Sequence, residues 1–168
     1  MDRQCMQIIE QNRRQLDLLK SILRQVTKEH YQQKKAWPGQ PSVGKHVRHV
    51  LDHYQQLWLA TESGRLDYRL RLRDEGAQTD PAIALQWIER LETWLQCLEH
   101  TDLEYQLHYQ FAEGETYSSL HRELDFVASH CVHHLALIHA LLDACGYSLP
   151  QAAGIHSSTQ EYHRRCAR

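Results

Sequence analysis

Long hydrophobic runs are missing from this chain. No stretch approaches the roughly 18 apolar residues of a membrane span, so no membrane partner is expected. The N-terminal stretch is polar and lacks an apolar signal-peptide core, which makes the cytoplasm the expected compartment. Charge of one sign is also missing: the formal net charge is −2, and nothing steers the protein toward nucleic acid. Cysteine is sparse and odd in number. Cys5, Cys97, Cys131, Cys145 and Cys166 form no CxxC pair, which argues against a disulfide framework or a zinc ribbon and for reduced thiols. Several catalytic signatures are absent as well. The chain has no HExxH, no Glu followed three residues later by His, no GxSxG, no P-loop and no GxGxxG.

What is present suits a single globular domain: 168 residues, 42% hydrophobic and 24% charged, enough to bury a core without staples. Four segments carry a helical period. The first spans residues 3–30, with Ile8, Ile9, Leu16, Leu19, Ile22, Leu23 and Val26 on one side. Trp37-Pro38-Gly39-Gln40-Pro41 breaks the chain, and Ser42 is placed to cap a second helix over 43–63 that Gly64 stops. Residues 65–80 read as a short, charged, irregular crossover in which Tyr68, Arg69, Arg71 and Arg73 nearly alternate, so that part of it is expected to be extended. Asp80-Pro81 starts a third helix that runs to about residue 99. Residues 103–111 alternate like a strand of a small hairpin closed at Glu113-Gly114. A fourth helix over 118–145 ends at Gly146. The expectation is an all-α four-helix bundle over 1–150, with a long crossover between helices 2 and 3 and a short hairpin before helix 4. Residues 151–168 read as a tail, flexible or packed on a partner subunit.

Histidine is the abundant residue, 13 in all, and its placement is not random. At about 100° per residue, His46, His49 and His53 fall within roughly 60° of one another beside the apolar stripe of Val43, Val47, Val50, Tyr54 and Leu57. On the fourth helix His130 and His134 stack at four-residue spacing inside the apolar stripe, with His133 at its edge. Unpaired imidazoles there would be costly. An HxxxH pair offers two ligands to one metal, and a third histidine from a facing helix leaves a position open for water or substrate. Helical geometry allows His46, His49 or His53 as that third ligand.

The segment Ser42-Val43-Gly44-Lys45-His46-Val47-Arg48-His49-Val50-Leu51-Asp52-His53 resembles the second helix of the DinB/YfiT-like superfamily of metal-binding four-helix bundles. The segment His130-Cys131-Val132-His133-His134-Leu135-Ala136-Leu137-Ile138 is similar to the fourth helix of that superfamily. The resemblance implies His49, His130 and His134 as ligands of a divalent transition metal; zinc, nickel and iron all suit imidazole, and His46, His53 and His133 stand close enough in the pattern to be additional ligands or supports. Characterised relatives include thiol-dependent S-transferases, a mycothiol-dependent isomerase and the iron-binding domain of sulfoxide synthases. The last group carries an acidic residue two positions after the second histidine. Here that position is Ala136, which argues against sulfoxide synthesis.

Three functions follow as expectations. In the first, a metal-dependent enzyme uses the open position for thiol transfer or hydrolysis, with a low-molecular-weight thiol as a cofactor or substrate. Arg48, Arg69, Arg71 and Arg73 are the candidates to bind a carboxylate, Arg48 and Arg71 foremost, and Tyr54 and Tyr68 would line the pocket. Cys131 reads as a packed residue, not a nucleophile. In the second, a saturated site sequesters metal without turnover. In the third, the bundle is structural and dimerising, and its histidines are polar packing. A homodimer acting on a small molecule is the expected assembly.

Overall fold

The computed structural model describes residues 3–33, 41–149, 154, 155, 159, 162, 165 and 166. Among these residues four long helices carry the mass: α1 (Arg3–Leu23), α3 (Val43–Ser63), α5 (Pro81–Cys97) and α6 (Leu120–Asp143). Two short helices, α2 (Lys28–Gln32) and α4 (Glu75–Thr79), lie in the connections. The long helices form a ring in which α1 and α3 each pack against both α5 and α6. The centre is filled by Leu16, Leu19 and Ile22 of α1, Val47, Tyr54 and Leu57 of α3, Ile88 and Leu95 of α5, and Leu124, Leu135 and Ile138 of α6. On α1, α3 and α5 these are apolar residues read from the helical period and turned inward. On α6 the buried side runs through Leu124, Leu135 and Ile138, whereas of the apolar residues expected on the histidine face Phe126 and Leu141 are half-buried and Leu137 is 37% exposed.

The chain is mostly helical but not all-α. A three-stranded sheet, ordered β1-β2-β3, caps one end: β1 (Arg65–Leu66), β2 (Gln106–Phe111) and β3 (Gly114–Ser119). The antiparallel β2–β3 pair, joined at the turn before Gly114, is the hairpin expected before the last helix. The extended part of the crossover is β1, which lies before the alternating residues 68–73 and pairs parallel to β2 with Arg65 opposite His108. Two residues are too short for a period, and the pairing is anchored from outside by the His108 N–H donating to the Gly64 carbonyl at 2.9 Å.

Two further boundaries differ from the expectation. The first helix ends at Leu23, not near His30, because the Thr27 hydroxyl caps a new helix by accepting the His30 N–H. That turn drops Tyr31 into the core, where its hydroxyl donates to the Ala77 carbonyl of α4. The crossover is also less irregular than it reads: Asp74 caps α4 through the N–H groups of Gly76 and Ala77. By length and composition α6, with mean hydropathy 1.2 over its most apolar window, would suffice to cross a membrane. Its apolarity has a different use here, since Leu124, Val127, Leu135 and Ile138 bury against the other helices.

The segment expected to break the chain before Pro41 lies outside the described residues, as does most of 151–168. Gly154 is described. It sits so close to α6 that a Cβ there would stand 2.5 Å from the Ala136 Cα.

Candidate metal centre

α3 and α6 face each other across their histidine stripes. One ligand atom each from His49, His130 and His134 lies within 4.8 Å of the other two. The ring centroids are 4.9 Å apart for His49–His130, 4.8 Å for His49–His134 and 4.5 Å for His130–His134. A tetrahedral ion with nitrogen ligands near 2.0 Å sets them roughly 3.3 Å apart, so imidazole rotations of about an ångström would close the set.

Two other α3 histidines adjoin the three. The His53 ring lies 4.2 Å from that of His130, and its Nδ1–H donates to the His49 carbonyl at 2.7 Å. That bond fixes the tautomer and leaves His53 Nε2 as an acceptor, which Arg71 Nη1 approaches at 3.4 Å. His46 Nδ1 and His134 Nδ1 are 2.9 Å apart, one ring donating to the other. If His134 ligates a cation through Nε2, its Nδ1 must carry the proton and donate to His46, the orienting bond that ligand histidines usually have. His133 is exposed, with its ring 5.2 Å from that of His134.

Burial is the largest influence on the charge state of these rings. It pushes His49 and His134 down to about 3 and His53 and His130 down to about 4, with neighbouring imidazoles adding to the effect for His49, His130 and His134. His46 is lowered for the same first reason. At neutral pH the rings are therefore uncharged, the form whose lone pairs bind cations. The fit to a metal rests on one atom above all. His130 Nε2 is buried without a hydrogen-bond partner among the described residues. A buried lone pair or N–H left unpaired is expensive, and a cation at that point would satisfy it.

Around the cluster, the crossover adds two of the four side chains expected to line the site. Tyr68 stacks on His53 at 5.1 Å, and its hydroxyl donates to Glu123 Oε2 at 2.8 Å. Arg71 Nη1 stands 3.5 Å from His49 Nδ1 and 3.4 Å from His53 Nε2. The other two are engaged elsewhere. Arg48 donates to Asp52 at 2.7 Å and to Gln78 at 3.0 Å, tying α3 to α4. Tyr54 is fully buried and donates to Asn12 at 2.8 Å in the core. Cys131 is likewise core: it is fully buried, and burial pushes its thiol up to about 12, which keeps it protonated at neutral pH.

Sequence reasoning missed Glu123. It is 1% exposed and accepts from Tyr68, Ser118 and Arg122, pinning the crossover to the start of α6. An isolated acidic residue in an amphipathic helix gives no signal, because its partner Tyr68 is distant in sequence. Apart from the cluster, a cavity of about 460 Å³ between α3 and α5 is walled by Trp58, Trp94 and Leu98 and holds no imidazole.

Fold and site together define a small helical protein with a three-histidine cluster between two of its long helices. The chain belongs to the DinB superfamily, whose profile matches residues 10–138. Among solved structures it is similar to a DinB-like protein from Bacillus subtilis, with a TM-score of 0.69 and 17% identity. The match covers 89% of this chain and 99% of that one. At that identity the likeness is one of fold. A comparison with curated proteins gives no match.

Proposed function

We propose that this protein binds one divalent transition metal through His49, His130 and His134 and uses it as an enzyme of thiol-transfer or hydrolytic type. The observation that carries the reading is the convergence of three neutral imidazoles on one point, with His130 Nε2 buried and unpartnered beside it. The ring of four long helices, read as a four-helix bundle, supplies the rigid frame that such a site needs. A cation held there supplies Lewis acidity to a thiol or water at its open position. The residues around it have their own tasks. His46 orients His134. Tyr68 and Phe126, the latter stacked on His130 at 5.7 Å, keep water from one flank. Three ligands leave room for a substrate, which favours turnover. The His53 ring, 4.2 Å from that of His130, favours a second reading, in which a fourth imidazole closes the site and the protein only sequesters metal.

The test is elemental analysis of protein purified without a polyhistidine tag, for wild type and His134→Ala. About one equivalent of metal in wild type, lost in the variant, is the expected result. No metal in either after dialysis against Zn²⁺, Ni²⁺ and anaerobic Fe²⁺ overturns the proposal. If metal is present, exchangeable water detected by relaxation on a paramagnetic substitute separates an open site from a closed one.

A further inference from the structure

Arg71 is an unusual neighbour for this cluster. A guanidinium is always charged, and a half-buried one normally has a carboxylate beside it. Among the described residues no carboxylate lies within ion-pair distance of Arg71; its Nη1 approaches only the His49 and His53 rings, at 3.5 and 3.4 Å. The nearby acids are spent. Asp52 is bonded to Arg48 at 2.7 Å, and Glu123 accepts from Tyr68, Ser118 and Arg122. The sequence neighbours show the same division. Arg69 is bound by both its Nε and Nη2 to Asp67, whereas Arg71, between the exposed Leu70 and Leu72, has only imidazole contacts and the more distant charge of Asp52, which is already paired with Arg48.

The consequence follows from charge counting. The imidazoles bring no charge, so a divalent cation on them beside Arg71 makes a pocket of three positive charges with no acid in contact. Such a pocket is completed by anions, and the planar fork of Arg71 matches a carboxylate. Resting on the metal reading above, we infer that Arg71 is a specificity residue for substrate. The ligand whose donor atom takes the open metal position carries a carboxylate a short carbon link away, and Arg71 receives it. Tyr68 fixes the reach of that contact, because its bond to Glu123 anchors the crossover three residues before Arg71.

The test uses cobalt(II)-loaded full-length protein and three thiols that share a sulfur donor but differ at the tail: mercaptoacetate (negative), 2-mercaptoethanol (neutral) and 2-aminoethanethiol (positive). Binding is read from the thiolate-to-cobalt charge-transfer band. In wild type mercaptoacetate binds about tenfold more tightly than mercaptoethanol, and the positive thiol binds weakest. In Arg71→Gln the ratio of mercaptoacetate to mercaptoethanol affinity falls from about ten to about one, whatever the absolute affinities. Arg71→Lys keeps part of that preference, because charge remains while the fork is lost. A wild type that binds all three alike, or an Arg71→Gln variant with the preference intact, overturns the inference and leaves the metal site standing. Failure of wild type to bind cobalt overturns the metal reading, and this inference with it.

Discussion

At Asp74 one carboxylate serves three partners. Its Oδ2 accepts the Trp87 indole N–H at 2.8 Å, and its Oδ1 accepts the backbone N–H groups of Gly76 and Ala77 at the start of α4. The Trp87 bond first, and the backbone bonds with it, hold this carboxyl below the usual carboxylate range. A depressed folded-state value has one sign in linkage. The stabilisation is complete above the ordinary carboxylate pKa near 4 and is lost as pH falls through the lower folded value. Asp74→Ala is therefore expected to lower stability by about 1 kcal/mol above pH 5, the size of a lost cap. The gap between variant and wild type should narrow below about pH 4. Urea unfolding at a series of pH values measures it, and a gap that is constant from pH 3 to 7 would contradict the assignment. The histidines show the same dependence of charge on surroundings. Their abundance is plain in the sequence, but their neutrality comes from burial among one another.

Among the elements, α3 is the most faithfully written in sequence, and its caps explain why. The Ser42 hydroxyl accepts the Lys45 N–H, and Gly64 closes the other end at φ 72°, where its N–H donates to Ala60. Both signals are local, so both boundaries are legible. What the sequence does not disclose is how closely α3 approaches α4. A Cβ at Gly44 would lie 2.0 Å from the Gln78 carbonyl oxygen and 2.8 Å from the Tyr31 ring. Gly44→Ala must push the two helices apart and is expected to destabilise by about 1–3 kcal/mol, as overpacking does. Lys45→Ala, one position along on the exposed side, is the control and should stay within about 0.5 kcal/mol. Denaturant midpoints of the two variants decide the point; equal values would mean that the contact is not a close one. The early end of α1 is illegible for the same kind of reason: Tyr31 turns inward to meet Ala77, a partner that the helical period of residues 3–30 cannot indicate.

For the molecule as a whole, the histidine cluster joins α3 to α6, two helices separated by the crossover, α5 and the hairpin. A ligand that binds only the assembled site stabilises the folded state by mass action, about 2.7 kcal/mol at a hundredfold excess over Kd. Saturating metal is expected to raise the thermal midpoint of wild type and to leave His130→Ala unmoved. Calorimetry with and without metal tests this, and an equal rise in both would place the metal elsewhere. The fold of the DinB superfamily supplies the frame, but fold alone does not assign a reaction.

The sequence by itself determined the four long helices, the hairpin, the two histidine stripes and the family. All of these are periodic or local patterns that need no partner to be read. Only the tertiary structure decided which side chains meet. It brought Tyr68 and Arg71 to the imidazoles, kept Arg48 on Asp52 and Gln78, sent Tyr54 to Asn12, and added β1 and Glu123. These choices depend on contacts between residues far apart in the chain. Helical period places a side chain on a face, but what stands opposite that face is settled when the helices pack.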